Sequence, residues 1–362
     1  QYRPENVVPT GIEVAWDKIF ISVPRLRVGI PATLNYISRN LPLESSPQLN
    51  AYPSWDWHTA GKGNLNCSLL ISVYRMKLDR CNRLWVIDSG VMTSIDDFRP
   101  VCQPKIMVFD LKTDQLVRQY TFPRENQFKE SSLFVTIAVD VRDTEDKCKD
   151  TFAYIADVTG FALLVYDFRN SRSWRITNNL FYPYPPYGTF NIKGDTFDLM
   201  DGILGLALGP IRNNDRILYF HSLASRVESW VNTSVIRNYT LFNENSEAAA
   251  RSFVPFSIER SSQSVAEVMD RNGVLFFGLL SDLAIGCWNS EHFFEYGGNN
   301  IEIIVKDPET LQFPSGMKVC NEYMLALSNR MQKIINNDFN FNDVNFRILG
   351  ANVDDLMRNT RC

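Results

Sequence analysis

The chain has 362 residues, 37 Lys and Arg against 41 Asp and Glu for a formal net charge of −4, and is 45% hydrophobic and 12% aromatic. That near-balance argues against nucleic acid or an anionic membrane as the main partner, and the apolar content is too high for a disordered chain. The longest apolar runs, 161–166 and 273–280, fall far short of the roughly 20 residues a membrane helix needs.

The chain begins Gln1-Tyr2-Arg3-Pro4, which reads as a mature or trimmed product without a signal segment. Short β-rich runs closed by Asp, Asn, Gly or Pro then follow in groups. GIEVAW, KIFISVPR and ATLNYIS come first, then SVYRMKLD, RLWVIDSG and KIMVFDL, then FVTIAVDV, TFAYIADV, ALLVYDF and SWRITN. GILGLALGP, ILYFHSLAS and RVESWVN make a fourth group, SVAEVMD, GVLFFGLLS and AIGCWN a fifth, and SGMKVC, YMLALSN and MQKII a sixth. An apolar anchor recurs in the second run of each: Phe20, Trp85, Tyr154, Tyr219, Phe276 and Leu325, about 61 residues apart on average. Six copies of a four-stranded unit predict an all-β, six-bladed β-propeller around a central channel. It would occupy 1–362 as one domain, with the tail at about 351–362 tied back. A pair of β-sandwiches is the alternative, disfavoured by the regular spacing. Helical signals are confined to 246–251 and 351–358, whereas a doubly wound α/β fold needs a helix between most strands.

Ring closure brings second-strand ends and first-strand starts to one channel mouth. The residues expected there are Arg25, Asp88, Asp157, Ser222, Asp282 and Asn329 at strand ends, and Ser72, Tyr74, Asp201 and Ser315 at strand starts. Such a ring of carboxylates, hydroxyls and an amide suits a small, partly aromatic ligand. The competing reading is that Asp88 and Asp157 are turn-formers that accept backbone N–H bonds. His58, His221 and His292 show no metal-ligand spacing, and no GxSxG elbow, P-loop or GxGxxG is present. Neither a metal nor a cofactor is therefore expected. The seven cysteines, at 67, 81, 102, 148, 287, 320 and 362, form no CxxC pair. With sequons at Asn66, Asn232 and Asn238 they point to an oxidising compartment and a secreted, extracellular glycoprotein. Spacing alone leaves their connectivity open.

The blocks RCNRLWVIDSGV, TFAYIADVTGFALLVYD, GTFNIKGDTFDLMDGILGLALGP, LYFHSLAS, GCWN, SGMKV, LSNRMQKI and DVNFRILGANVDDL resemble the yellow / major royal jelly protein family of insects, from about residue 8 to 362. The resemblance implies a secreted six-bladed propeller. It is strongest, through FYPYPPYGTFNIKGDTFDLMDGILGLAL, to the branch that converts dopachrome to dihydroxyindoles. Other members bind biogenic amines such as serotonin or dopamine without turnover, and others are nutritive or structural. The implied amine-pocket positions are Tyr74, Ser315 (for a threonine), Asn329 and Met331 (for a phenylalanine). For dopachrome conversion by tautomerisation or decarboxylative rearrangement, Asp157 or Asp201 is the candidate base, Arg25 the carboxylate partner and Tyr74 a wall. The implied partner is a small aromatic molecule: dopachrome, a catechol or an amine. Within that propeller the expected disulfides are Cys81–Cys148, Cys67–Cys102 and Cys287–Cys362, with Cys320 a free thiol.

Overall fold

A computed structural model describes residues 2–125 and 127–362; Gln1 lies outside the described residues. Six antiparallel sheets follow one another along the chain as the blades of a six-bladed β-propeller. Blade I holds Gly11–Ala15, Lys18–Ser22, Leu34–Ser38 and Asn50–Ala51; blade II holds Val73–Leu78, Arg83–Asp88, Lys105–Asp110 and Gln115–Thr121. Blade III is Phe134–Val141, Thr151–Asp157, Ala162–Asp167 and Arg172–Ile176, and blade IV is Ile203–Leu208, Ile217–Ser222, Ser229–Asn232 and Val254–Pro255. Blade V is Glu267–Met269, Val274–Leu279, Ala284–Asn289 and Glu302–Lys306. Among the described residues blade VI has three strands, Pro314–Cys320, Tyr323–Ser328 and Arg347–Asn352. The first strand of each blade packs against the first strands of its two neighbours, so Gly11–Ala15 meets both Val73–Leu78 and Pro314–Cys320 and the ring closes.

Position in the blade sets the sequence pattern. Second strands are sandwiched between neighbouring blades, so Arg83–Asp88 and Val274–Leu279 are buried throughout. The outermost strand of blade II, Gln115–Thr121, alternates exposed and half-covered residues with period two. The recurring aromatic anchors lie between blades. Trp85 of blade II meets Tyr166 and Phe168 of blade III at 6.3 and 5.4 Å, and Tyr219 of blade IV meets Trp288 of blade V at 5.6 Å. Fully buried rings of this size each contribute several kcal/mol, about 3–5 if cut to alanine.

Three disulfides join Cys67 to Cys102, Cys81 to Cys148 and Cys287 to Cys362, and Cys320 is a free thiol. The second ties blades II and III, and the third fastens the C-terminal tail to blade V.

Three local expectations are revised. Met331–Ile335 (MQKII) is a short α-helix, α1, and not the third strand of blade VI. Arg330 before it adopts a left-handed backbone, φ 48°, which turns the chain off the strand path. Met331, Ile334 and Ile335 then share one helical face, and Arg347–Asn352 takes the third-strand place. At 246–251 the Ala run makes turns and ends in the 3₁₀ segment Ala250–Ser252, because Ala249 sits at φ 55°. At 351–358 the helix is only Val353–Met357, started by Asn352, whose side chain accepts from Asp354 N and Asp355 N.

Candidate functional site

Each blade needs its second strand tied to the loop that leads into its first strand, because that loop is buried at the mouth and carries unpaired N–H groups. In blade II Asp88 does this. Its carboxylate accepts from Ile71 N (2.7 Å), Ser72 N (2.9 Å) and Gly90 N (3.0 Å), and pairs with Lys105 Nζ at 2.8 Å. Burial pushes its pKa up, but Lys105 and the amides outweigh that and hold it below the usual carboxylate range. Asp157 repeats the device in blade III, accepting from Ser132 Oγ (2.6 Å), Leu133 N (3.0 Å), Gly160 N (3.0 Å) and Arg175 Nη1 (2.9 Å). Both carboxylates are saturated, so the turn-former reading describes them, and Asp157 has no lone pair aimed at a ligand.

Arg25 is likewise committed. It is 1% exposed and donates to the carbonyls of Ile30 (3.2 Å), Pro31 (3.1 Å) and Ile71. Burial lowers its pKa to about 10 against the pull of Asp88. It cannot turn to a substrate carboxylate without abandoning three buried acceptors. Asn329 donates to Pro9 O (2.9 Å) and accepts from Met331 N (3.2 Å), which links the end of blade VI to the segment before blade I. Ser315 is buried, with Oγ 3.4 Å from Leu327 O. Ser222 Oγ donates to Leu180 O at 3.3 Å, and Asp282 accepts from Ser261 on the surface. His58 is a hydrogen-bonded core residue: Nδ1 accepts from Thr33 N (3.3 Å), Nε2 faces Tyr52 O (3.0 Å), and burial lowers its pKa to about 4.

What remains at the mouth is an apolar cluster with two polar groups in it. All six blades contribute, through Val8, Tyr74, Val158, Leu204, Leu280 and Phe313 among others. Between blades III and IV the hairpin Thr189–Ile192/Asp195–Asp198 folds over this cluster, with Phe190 and Phe197 stacked at 5.0 Å. Met331 on α1 packs against the same cluster. The cover is fixed at its rim. Gln263 Nε2 donates to Tyr187 O and Thr189 O at 3.1 and 3.0 Å, Lys193 pairs with Glu309 at 2.7 Å, and Lys333 pairs with Asp195 at 3.1 Å.

Asp201, just before the first strand of blade IV, differs from every other carboxylate there. Among the described residues its carboxylate makes no hydrogen bond and no ion pair; only its backbone O is used, by Ala224 N at 3.1 Å. Burial alone raises its pKa to about 6. It lies close enough to Tyr74 to push that phenol up as well, behind the larger effect of burial, while Ser94 Oγ, 2.5 Å from Tyr74 Oη, pulls the other way. A carboxylate poised near neutral pH beside a hydroxyl pair and apolar walls can exchange a proton with a bound molecule.

A cleft of about 910 Å³ lies on the blade II–III side, lined in part by Cys67 and Cys102; neither Asp201 nor Tyr74 lines it. Val91 and Phe98 line it and also belong to or pack against the mouth cluster, and Arg124, Phe128 and Lys129 line it as well. The sequence held no signal for this cleft, since its walls come from three separate segments, 67–68, 89–104 and 119–132, that share no pattern. The channel interior is nearly filled, with about 50 Å³ left among Glu13, Arg75, Lys77, Thr136, Glu267 and Lys318. Arg75 spans it, donating to Thr136 Oγ1 (3.0 Å) and Ser315 O (2.7 Å). A second polar group missed by spacing lies in the joint of blades IV and V, where His221 Nδ1 is 3.0 Å from Glu228 and 3.3 Å from Glu267.

The family model described as Major royal jelly protein matches residues 71–362. The chain is 36% identical over 366 residues to Dopaminechrome tautomerase of Drosophila melanogaster, covering 100% of this chain and 78% of that protein. It is 36% identical over 381 residues to Major royal jelly protein 1 of Apis mellifera, covering 100% of this chain and 83% of the other. Among solved structures a luciferin-regenerating enzyme aligns over 94% of this chain and 90% of its own at a TM-score of 0.52 and 9% identity, a likeness of fold.

Proposed function

The chain belongs to the major royal jelly protein family, and from that premise we propose that it isomerises an aminochrome, dopachrome or its decarboxylated counterpart, to a dihydroxyindole. The observation that carries this reading is the unpaired Asp201 carboxylate beside Tyr74, in a chain 36% identical to a dopaminechrome tautomerase. The substrate is a flat, oxidised indoline. The cleft past Phe128 and Phe98 admits a ring of that shape, and Arg124 and Lys129 supply cations for a substrate carboxylate in place of Arg25. At the mouth Asp201 takes a proton from ring carbon. The C–H electron pair enters the ring, and the Tyr74–Ser94 hydroxyl pair returns a proton to a quinone oxygen, giving a quinone methide; a second transfer of the same kind, from the adjacent ring carbon to the other quinone oxygen, gives the dihydroxyindole. No oxidant or reductant is consumed. In the decarboxylative variant the C–CO2 bond breaks in place of the second C–H bond, carbon dioxide leaves, its electron pair enters the ring and the other quinone oxygen takes a proton from water. Dry apolar walls strengthen each charge interaction in the step.

The test is the spectral decay of dopachrome and of dopaminechrome with purified protein, with the product identified as carboxylated or not. Decay at the buffer rate for both substrates rejects the reading. Tyr74 and Met331 in one apolar cluster, with the Asp201 charge acting on Tyr74, also suit an aromatic amine, whose ammonium would pair with the carboxylate. Calorimetry with serotonin and dopamine separates the two: heat without turnover favours the binder.

Secretion and glycosylation belong to the same proposal. Asn66, Asn232 and Asn238 are all exposed, as glycan acceptors must be, and three disulfides fit an oxidising compartment. Mass analysis of protein made in insect cells checks them.

A further inference from the structure

His221 stands in the second strand of blade IV, Glu228 just before its third strand, and Glu267 at the start of the first strand of blade V. All three side chains are fully buried. His221 Nε2 lies 3.1 Å from the carbonyl oxygen of Ser264, which can only accept, so Nε2 carries a hydrogen. Nδ1 therefore faces the two carboxylates, 3.0 Å from Glu228 Oε2 and 3.3 Å from Glu267 Oε2. A bare ring nitrogen and two carboxylates cannot share that space without a cation between them.

A proton on Nδ1 would meet only part of the demand. Glu228 Oε1 and both oxygens of Glu267 are buried without a hydrogen-bond partner. The nearby guanidiniums do not reach them. Arg260 donates to Glu228 Oε2 (2.6 Å), Tyr296 Oη (3.4 Å) and Ser225 O (3.5 Å), and Arg75 to Thr136 and Ser315, while the Nε of each is itself buried without a partner. One ligand atom from each of the three residues lies within 4.8 Å of the others. Separations of 3.0 and 3.3 Å match neighbouring ligands around an ion bound at about 2.0–2.2 Å. The ring is seated on Gly205, where a Cβ would lie 2.2 Å from His221 Cε1, so its orientation is fixed by backbone. The Nε2–H bond to Ser264 is the outer contact that metal-bound imidazoles ordinarily make.

We infer that His221, Glu228 and Glu267 form a buried site for a divalent first-row metal ion that pins blade IV to blade V. One imidazole with carboxylate oxygens suits zinc, whereas calcium and magnesium prefer all-oxygen shells. The site lies on the blade joint and is separate from Asp201, so it stands or falls independently of the aminochrome reading.

Zinc is the probe, with elemental analysis of protein expressed in zinc-supplemented medium and dialysed against buffer. About one zinc per chain is expected, with loss of at least 80% of it in Glu267→Gln and His221→Asn. Growth on cobalt should give a visible d–d absorption, and stripping under mild denaturant with a chelator should lower the melting temperature. Because the variants could fail to fold, the wild-type protein decides alone. Less than a tenth of an equivalent of metal, even after refolding with zinc, overturns the inference. So does nitrogen NMR showing His221 as an imidazolium protonated at both nitrogens. Zinc retained in full by a folded His221→Asn variant places the ion elsewhere and overturns it as well.

Discussion

Asp157 and Asp201 sit at the same mouth, one ending a second strand and the other preceding a first strand, yet the structure treats them oppositely. Asp157 is wrapped by four donors, including Arg175 at 2.9 Å, and its charge is matched where it lies. Asp201 is half-buried with no protein donor on its carboxylate, and its pKa rises to about 6. The pair separates two uses of one residue type: a carboxylate that stabilises the fold by satisfying buried amides, and one kept at the fold's expense where a ligand could use it.

The sharpest way to break this contrast is to remove both. Asp157→Ala strands Arg175 and three donors in the interior. It should cost about 3–5 kcal/mol, read as a lower midpoint in denaturant unfolding. A loss below about 1 kcal/mol would mean Asp157 is not a clamp. Asp201→Asn should do the reverse. Turnover of aminochrome should fall by about 10²–10⁴-fold while the fold holds.

The same residue gives a pH signature. An acid whose folded pKa is raised binds more protons folded than unfolded, so its penalty is absent below about pH 4 and grows as pH climbs through about 6. Asp201→Asn should therefore be more stable than wild type at pH 7 by about 1–3 kcal/mol, with the difference vanishing near pH 4. The wild-type rate should rise with pH through about 6 as the base ionises. A flat rate profile, or equal stabilities at both pH values, would show that Asp201 is not the poised carboxylate.

Asn329 tests the contrast at a smaller scale. Its two hydrogen bonds close the ring between blades VI and I, so Asn329→Ala should lower stability by about 1–3 kcal/mol with rate and affinity unchanged. Unchanged stability with weakened binding would return Asn329 to the ligand set. The smallest effect belongs to the rim. Lys193→Ala with Lys333→Ala removes two solvent-facing ion pairs of the hairpin cover, worth about 0–1 kcal/mol together. Association of aminochrome should quicken and lose part of its salt dependence; an unchanged rate would show that ligands reach the mouth without moving the hairpin.

Apolar runs ending in Asp or Ser, with Phe20, Trp85, Tyr154, Tyr219, Phe276 and Leu325 at second-strand positions, were enough to count six blades. Burial between neighbouring sheets leaves that imprint on each strand separately. The sequence also determined the chemistry available: carboxylates, hydroxyls and aromatics at the mouth, and no nucleophile motif. It could not tell Asp157 from Asp201, because both read as an Asp beside a strand. Their difference lies in which amides and guanidiniums arrive from elsewhere in the chain. MQKII reads equally as strand or helix, and the left-handed Arg330 together with the apolar mouth beneath α1 decided it. His221, Glu228 and Glu267 carry no spacing signal at all, since one comes from a strand, one from a loop and one from the next blade. Only the closing of the ring brings them within 4.8 Å, because a propeller joins sequence-distant blades through packing that no local pattern records.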